Sequence, residues 1–133
     1  MTQGSNLSLQ SPLLTRMAAW AHDRFPLANA VLFLVLYLAA LVLGRSLVTD
    51  GPILLGFDDA LGFVAVWAFF LTIRVFDEHK DYEQDCLNHP DRILQQGLIT
   101  LNHLKVLGAV AISLQAGISI YLAGGWGLIP LFW

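Results

Sequence analysis

Charge is scarce in this sequence. Only 13% of the 133 residues are Asp, Glu, Lys or Arg, 56% are hydrophobic, and the mean hydropathy is +0.64. A soluble globular domain carries about 25% charged residues, so this chain is too apolar for that class. Basic excess is also missing. A net charge of −3 provides no surface for a polyanion, and no nucleic-acid partner is expected. Cysteine is nearly absent, and Cys86 alone rules out an internal disulfide framework. Residues 1–11 form a polar tail with no basic segment leading directly into a short apolar core, so no cleaved signal peptide is expected. No internal repeat or low-complexity segment interrupts the chain.

What is present is apolar sequence in membrane-length blocks. About 20 apolar residues make a membrane-spanning helix, so 133 residues allow three spans and the start of a fourth. Residues 12–25 alternate Leu13, Leu14, Met17 and Trp20 with Arg16 and Arg24. This spacing fits either a short amphipathic helix at the interface, with Trp20 at headgroup depth, or the leading end of the first span. The first span runs from about Pro26 to Leu43, and its interior carries no charge. Asp50-Gly51-Pro52 supplies turn chemistry. The second block begins near Ile53, is interrupted by Asp58 and Asp59, and resumes from Ala60 to Ile73. Either the two aspartates cap the helix or they face a protein interior, and we favour capping. Pro90 stops helical structure near Asn88, Gly97 marks a second turn, and Thr100 is the expected N-cap of a third span over 101–122. Small residues such as Gly108, Ala111 and Gly117 allow close packing of that span. Gln115, at mid-depth, is read as an interhelical hydrogen bond in preference to a substrate contact. Gly124-Gly125-Trp126-Gly127 reads as a turn, and 128–133 as the opening of a fourth span. The expected fold is therefore all-α: a polytopic membrane bundle of three transmembrane helices plus an N-terminal interfacial helix.

Basic residues set the expected orientation. Arg16, Arg24, Arg74, Lys80, Arg92 and Lys105 fall on one side of the spans and Arg45 on the other. A positive-inside bias of six to one places the N-terminus and the 77–100 segment in the cytoplasm of a bacterial inner membrane.

The one strongly polar stretch, Arg74–Arg92, follows the second span. It holds Asp77, Asp81 and Asp85 at steps of four. On a helix these form one slowly drifting stripe about 12 Å long. Like charges at that spacing repel, and the negative end of the preceding helix adds to the cost. Water can solvate such a stripe, and a run of charge beyond a membrane helix is most often a solvated face. Alternatively, a hard cation such as Mg²⁺ bridges it and shares its oxygen ligands with substrate phosphates. Glu78 adjoins the stripe, and Lys80 and Arg92 are cations placed to grip phosphate oxygens. Asn88 and Tyr82 either orient a diphosphate or are surface polar residues. His79, His89 and His103 lack zinc spacing with Cys86. Cys86 has no activating partner in sequence and reads as a passive thiol.

The order Asp77-Glu78-x-x-Asp81-x-x-x-Asp85, followed by Asn88-His-Pro-Asp-Arg92-Ile-Leu-Gln-Gln-Gly97-Leu-Ile-Thr100, resembles the first signature of the UbiA superfamily of intramembrane prenyltransferases. That signature is Asn-Asp-x-x-Asp-x-x-x-Asp, then Arg-Pro and a glycine before the next helix. Asp81, Asp85, Arg92, Gly97 and Thr100 match it. Asp77 stands at the asparagine position, Glu78 at the first aspartate, and Ile93 where proline is usual. The resemblance covers about a fifth of the chain. It implies Mg²⁺ held by Asp77, Asp81 and Asp85, with Arg92 on the diphosphate, while the residues themselves add Glu78 as an adjacent metal candidate and Lys80 and Asn88 as further diphosphate candidates. It also implies a polyprenyl diphosphate donor and an acceptor that is often aromatic. The family carries a second aspartate-rich motif several spans later, and these 133 residues contain none. The expectation is thus a fragment or truncated relative of such an enzyme, completed by a C-terminal half or another membrane subunit. The rival expectation is a small non-catalytic subunit that docks in a larger membrane complex.

Overall fold

A computed structural model describes residues 7–123, which form five helices and no strand. Met1–Asn6, the turn at Gly124–Gly127 and the expected start of a fourth span lie outside the described residues. The helices are α1 (Leu13–Arg24), α2 (Ala28–Ser46), α3 (Phe57–Lys80), α4 (Tyr82–Asn88) and α5 (Leu101–Ala123). Three of them, α2, α3 and α5, are long and apolar enough to cross a membrane. At 1.5 Å per residue they reach about 28, 36 and 34 Å, against a hydrocarbon core of about 30 Å.

Local chemistry sets the helix boundaries. The Asp59 carboxylate accepts the Gly56 N–H at 2.7 Å, so α3 starts beside the aspartate pair, as the capping reading expected. Asp58 is exposed. The Thr100 hydroxyl accepts the His103 N–H at 3.3 Å and opens α5. Helix α4 ends at Asn88, two residues before Pro90. Gly97 has φ +73°, a left-handed conformation that glycine adopts without a Cβ penalty.

Helix α3 is the centre of the bundle and packs chiefly along α5. Gly108 permits the approach: a Cβ there would lie 3.2 Å from Val75 Cγ1. Gln115 Nε2 donates to Thr72 Oγ1 across the same contact at 3.0 Å, the expected interhelical bond. Helix α2 meets α3 through aromatic rings. Phe33 stacks on Phe70 with centroids 4.0 Å apart, and Phe25 bridges Phe33 and Trp67.

The tightest core lies at one end of the bundle, where α3 stops and α5 starts. We call this the α4 end. Trp20, Val75, Leu94, Ile99 and Leu104 form its buried centre. Helix α1 contributes Trp20, only 1% exposed, so the indole is covered by protein. Arg16 Nη1 also donates to the Leu98 carbonyl at 2.5 Å, tying α1 to the connector ahead of α5.

Candidate functional site

The polar stretch occupies the α4 end, and its helix is nearly continuous. Asp81 breaks the regular geometry between α3 and α4 with φ −97° and ψ 8°. The backbone bonds nevertheless keep a four-residue step, with Asp81 N–H donating to Asp77 O at 2.9 Å and Asp85 N–H to Asp81 O at 2.8 Å. Asp77, Asp81 and Asp85 therefore stay about one turn apart, as their spacing predicted.

Their surroundings differ. Asp85 is half-buried and accepts from Arg92 Nη1 at 2.6 Å, with Arg24 Nη2 at 3.6 Å from the same oxygen. Asp77 is half-buried and Asp81 exposed, and neither has an ion pair among the described residues. Glu78 lies on the core-facing side of α3, with its side chain 1% exposed. Its Oε1 accepts from Arg24 Nε at 2.7 Å and from Arg74 one turn earlier. A carboxylate this deep must be paired, and two guanidinium groups pair it.

Three arginines from α1, α3 and the 89–100 connector thus close on two carboxylates from α3 and α4. Arg24 belongs to both halves of the network. Arg74 Nε and both polar atoms of the Gln95 amide are buried without partners, so hydrogen-bonding capacity remains at this end. Lys80 and Asn88 are exposed, and among the described residues neither has an ion pair with the arginine network. The Tyr82 phenol titrates above the ordinary tyrosine range, chiefly because it hydrogen-bonds to Cys86, then because of that neighbour's charge and burial.

Of the residues named from sequence, the fold brings Asp85, Arg92 and Glu78 into one connected network and leaves Asp77, Asp81, Lys80 and Asn88 at its rim. Arg24 and Arg74 hold that network together, although from sequence Arg24 entered only the amphipathic spacing of residues 12–25 and the charge bias, and Arg74 only the charge bias. The four-residue step from Arg74 to Glu78 was a local signal for one pair. Arg24 had none, because 54 residues separate it from Glu78.

The fit to Mg²⁺ follows from which oxygens are spent. No group of three or more His, Cys, Asp or Glu residues converges on one point among the described residues. Glu78 and Asp85 use oxygens on arginines, so the four acids do not form an all-protein cage. Asp77 and Asp81 remain as two carboxylates one turn apart. That donor set suits an ion that takes one or two carboxylates and completes its shell with water and substrate phosphate.

Comparison with known proteins adds no relative: no family model, curated protein or solved structure matches this chain.

Proposed function

We propose that the α4 end binds the diphosphate of a polyprenyl diphosphate, as the first half-site of a UbiA-type prenyltransferase. The observation that carries this reading is the pair Asp77 and Asp81. They are acids without an ion pair among the described residues, one turn apart, on the α3–α4 stretch that also carries the arginine-paired Glu78 and Asp85 at the end of membrane-length helices. Arg92 has spent one of its five guanidinium donors on Asp85, so it retains N–H groups for phosphate oxygens. Lys80 and Asn88 lie one and seven residues from Asp81 and border the same face. Mg²⁺, when bound, supplies positive charge to the departing diphosphate. In the proposed transfer the allylic carbon–oxygen bond breaks and its electron pair leaves with diphosphate. The allylic carbon then bonds to the acceptor, often an aromatic ring, which gives up a proton. The Arg24–Glu78–Arg74 cluster is a positioning element that fixes the helix carrying Asp77 and Asp81.

In this reading α2, α3 and α5 span a bacterial inner membrane, with the α4 end in the cytoplasm. Six of the seven Lys and Arg residues flank that end, which supports the orientation. Helix α1 then lies at the cytoplasmic interface. The second reading, a non-catalytic subunit of a larger membrane complex, draws on α2. That helix buries only Phe33 and presents Val31, Leu32, Val35 and Leu36 outward. Another helix covers them as readily as lipid does.

The test is calorimetric binding of geranylgeranyl diphosphate to the detergent-solubilised chain, with and without Mg²⁺. Mg²⁺-dependent binding is expected. Asp77→Ala and Asp81→Ala should each weaken it by about tenfold or more, the equivalent of about 1.4 kcal/mol, and leave the unfolding transition unchanged. Equal binding by wild type and both variants removes the site assignment and favours the subunit reading.

A further inference from the structure

A second candidate site lies one face round α3 from the acids. Residues Val75, Phe76 and His79 of α3 and Lys105, Gly108, Ala109 and Ile112 of α5 line a groove of about 390 Å³. This volume is in the lower part of the range for ligand pockets, about 300–1,000 Å³. The spacing is helical on both walls, with steps of three and four residues. Gly108 and Val75 form the close contact between the helices. Phe76, Ala109 and Ile112 are exposed, so the groove opens outward between two membrane-length helices. Its occupant therefore belongs to the hydrocarbon phase along most of its length.

One end of the groove is different. His79 is in the last turn of α3 and Lys105 in the first two turns of α5, so both sit at headgroup depth if these helices span. The His79 Nδ1–H donates to the Val75 carbonyl at 2.8 Å, and its Nε2 is buried without a partner. Lys105 is exposed and has no ion pair among the described residues. No acid offsets these groups within the groove. Asp77 and Asp81 are each two residues from His79, hence about 160° round the helix. Glu78 is turned to Arg24 and Arg74.

We propose that this groove binds an anionic phospholipid. One acyl chain lies along Val75, Gly108 and Ile112, the phosphate faces Lys105, and the headgroup or glycerol oxygens meet His79. A phosphoglycerol headgroup has both acceptors and hydroxyl donors, so it satisfies the open ring nitrogen whichever role that nitrogen takes. A neutral apolar helix would leave Lys105 and the His79 nitrogen unmatched. The proposal does not rest on the prenyl diphosphate reading, because none of its residues belongs to that site.

The experiment is native mass spectrometry of the full chain, released from detergent holding equal amounts of phosphatidylglycerol and phosphatidylcholine with matched chains. One retained lipid per chain is expected, with phosphatidylglycerol favoured about fivefold, the effect of one cation near an anionic headgroup. Lys105→Gln should bring the ratio close to one. His79→Gln should lower it while retaining some preference. Ala109→Trp, at an exposed wall position, should remove both lipid adducts by filling the groove. Circular dichroism of Lys105→Gln should match wild type, because the side chain is exposed. An equal ratio in wild type, or an unchanged ratio in Lys105→Gln, overturns the proposal. A stable dimer in place of the lipid adduct also overturns it and assigns the groove to a second copy of the chain.

Discussion

The two ends of the bundle solve the same problem differently. At the far end Arg45 reaches across the α2–α3 turn and donates to both oxygens of Asp59, at 2.6 and 3.2 Å. It also donates to the Leu54 carbonyl at 2.8 Å. One arginine meets one carboxylate in a fork geometry, and the unit is closed. At the α4 end three arginines meet two carboxylates, while among the described residues Asp77 and Asp81 have no ion pair and the buried Gln95 amide has no partner. The far end is a loop clasp. The α4 end is a charged lattice with donors and acceptors left over, and such surplus is what a ligand site needs and a clasp does not.

The largest effect expected from this contrast is on stability. Glu78→Ala strands Arg74 and leaves Arg24 only its 3.6 Å contact with Asp85, and the two arginines are only 24% and 19% exposed. Breaking a buried pair in this way costs about 3–5 kcal/mol, and the residual exposure of the arginines places this case near about 3 kcal/mol. Asp59→Ala should cost clearly less, because Arg45 is 38% exposed and can turn to water. Unfolding by sodium dodecyl sulfate in mixed micelles, followed by far-ultraviolet circular dichroism, compares the two variants. If Asp59→Ala proves the costlier change, the α4 end is not the tighter of the two.

The parts legible in sequence were those governed by neighbours a few residues apart. Thr100, Pro90, Gly97 and the apolar blocks act on their own helices, and each marked a boundary close to where the structure has one. Gln115 was legible because a lone amide in an apolar span has few options. The burial of Glu78 was not, because it depends on α1 folding back over the end of α3. Nothing within four residues of Arg24 reports that it pairs 54 positions away. The burial of Trp20 was not legible for a related reason. A tryptophan on an amphipathic segment can face lipid headgroups or protein, and only the docking of α1 on Leu94, Ile99 and Leu104 shows that the indole is covered by protein. The acidic stripe was legible as spacing but not as chemistry, because arginines from three segments determine which oxygens stay available.

A smaller effect probes how the ends are connected along α2. Gly62 sits beneath Tyr37, and a Cβ at that position would overlap the phenol oxygen and come within 3.1 Å of Cζ. Overpacking costs about 1–3 kcal/mol, while replacing a helical glycine by alanine returns about 1 kcal/mol. Gly62→Ala should therefore destabilise by about 1 kcal/mol. Tyr37→Ala should suffer no such penalty from the added methyl, so the double variant should be more stable than Tyr37→Ala alone. The same detergent titration reads all three. If Gly62→Ala is stabilising in the wild-type background, Tyr37 swings aside freely and α2 is held to α3 by the Phe33–Phe70 stack rather than along its length.

The smallest effect lies midway between the ends, where neither clasp nor lattice reaches. Thr72 donates its hydroxyl to the Ala68 carbonyl at 2.9 Å and accepts from Gln115 at 3.0 Å. Gln115 also donates to the Ala111 carbonyl at 3.1 Å. Each partner thus has a bond within its own helix to fall back on, which lowers what the bond between helices adds. Coupling of about 0.6 kcal/mol is expected from a double-mutant cycle of Thr72→Val and Gln115→Leu, the mean for such bonds in membrane proteins. A value near 3 kcal/mol would make mid-bundle polarity the main fastener of α3 to α5. The two ends would then be secondary, and the contrast between them would concern ligand capacity alone.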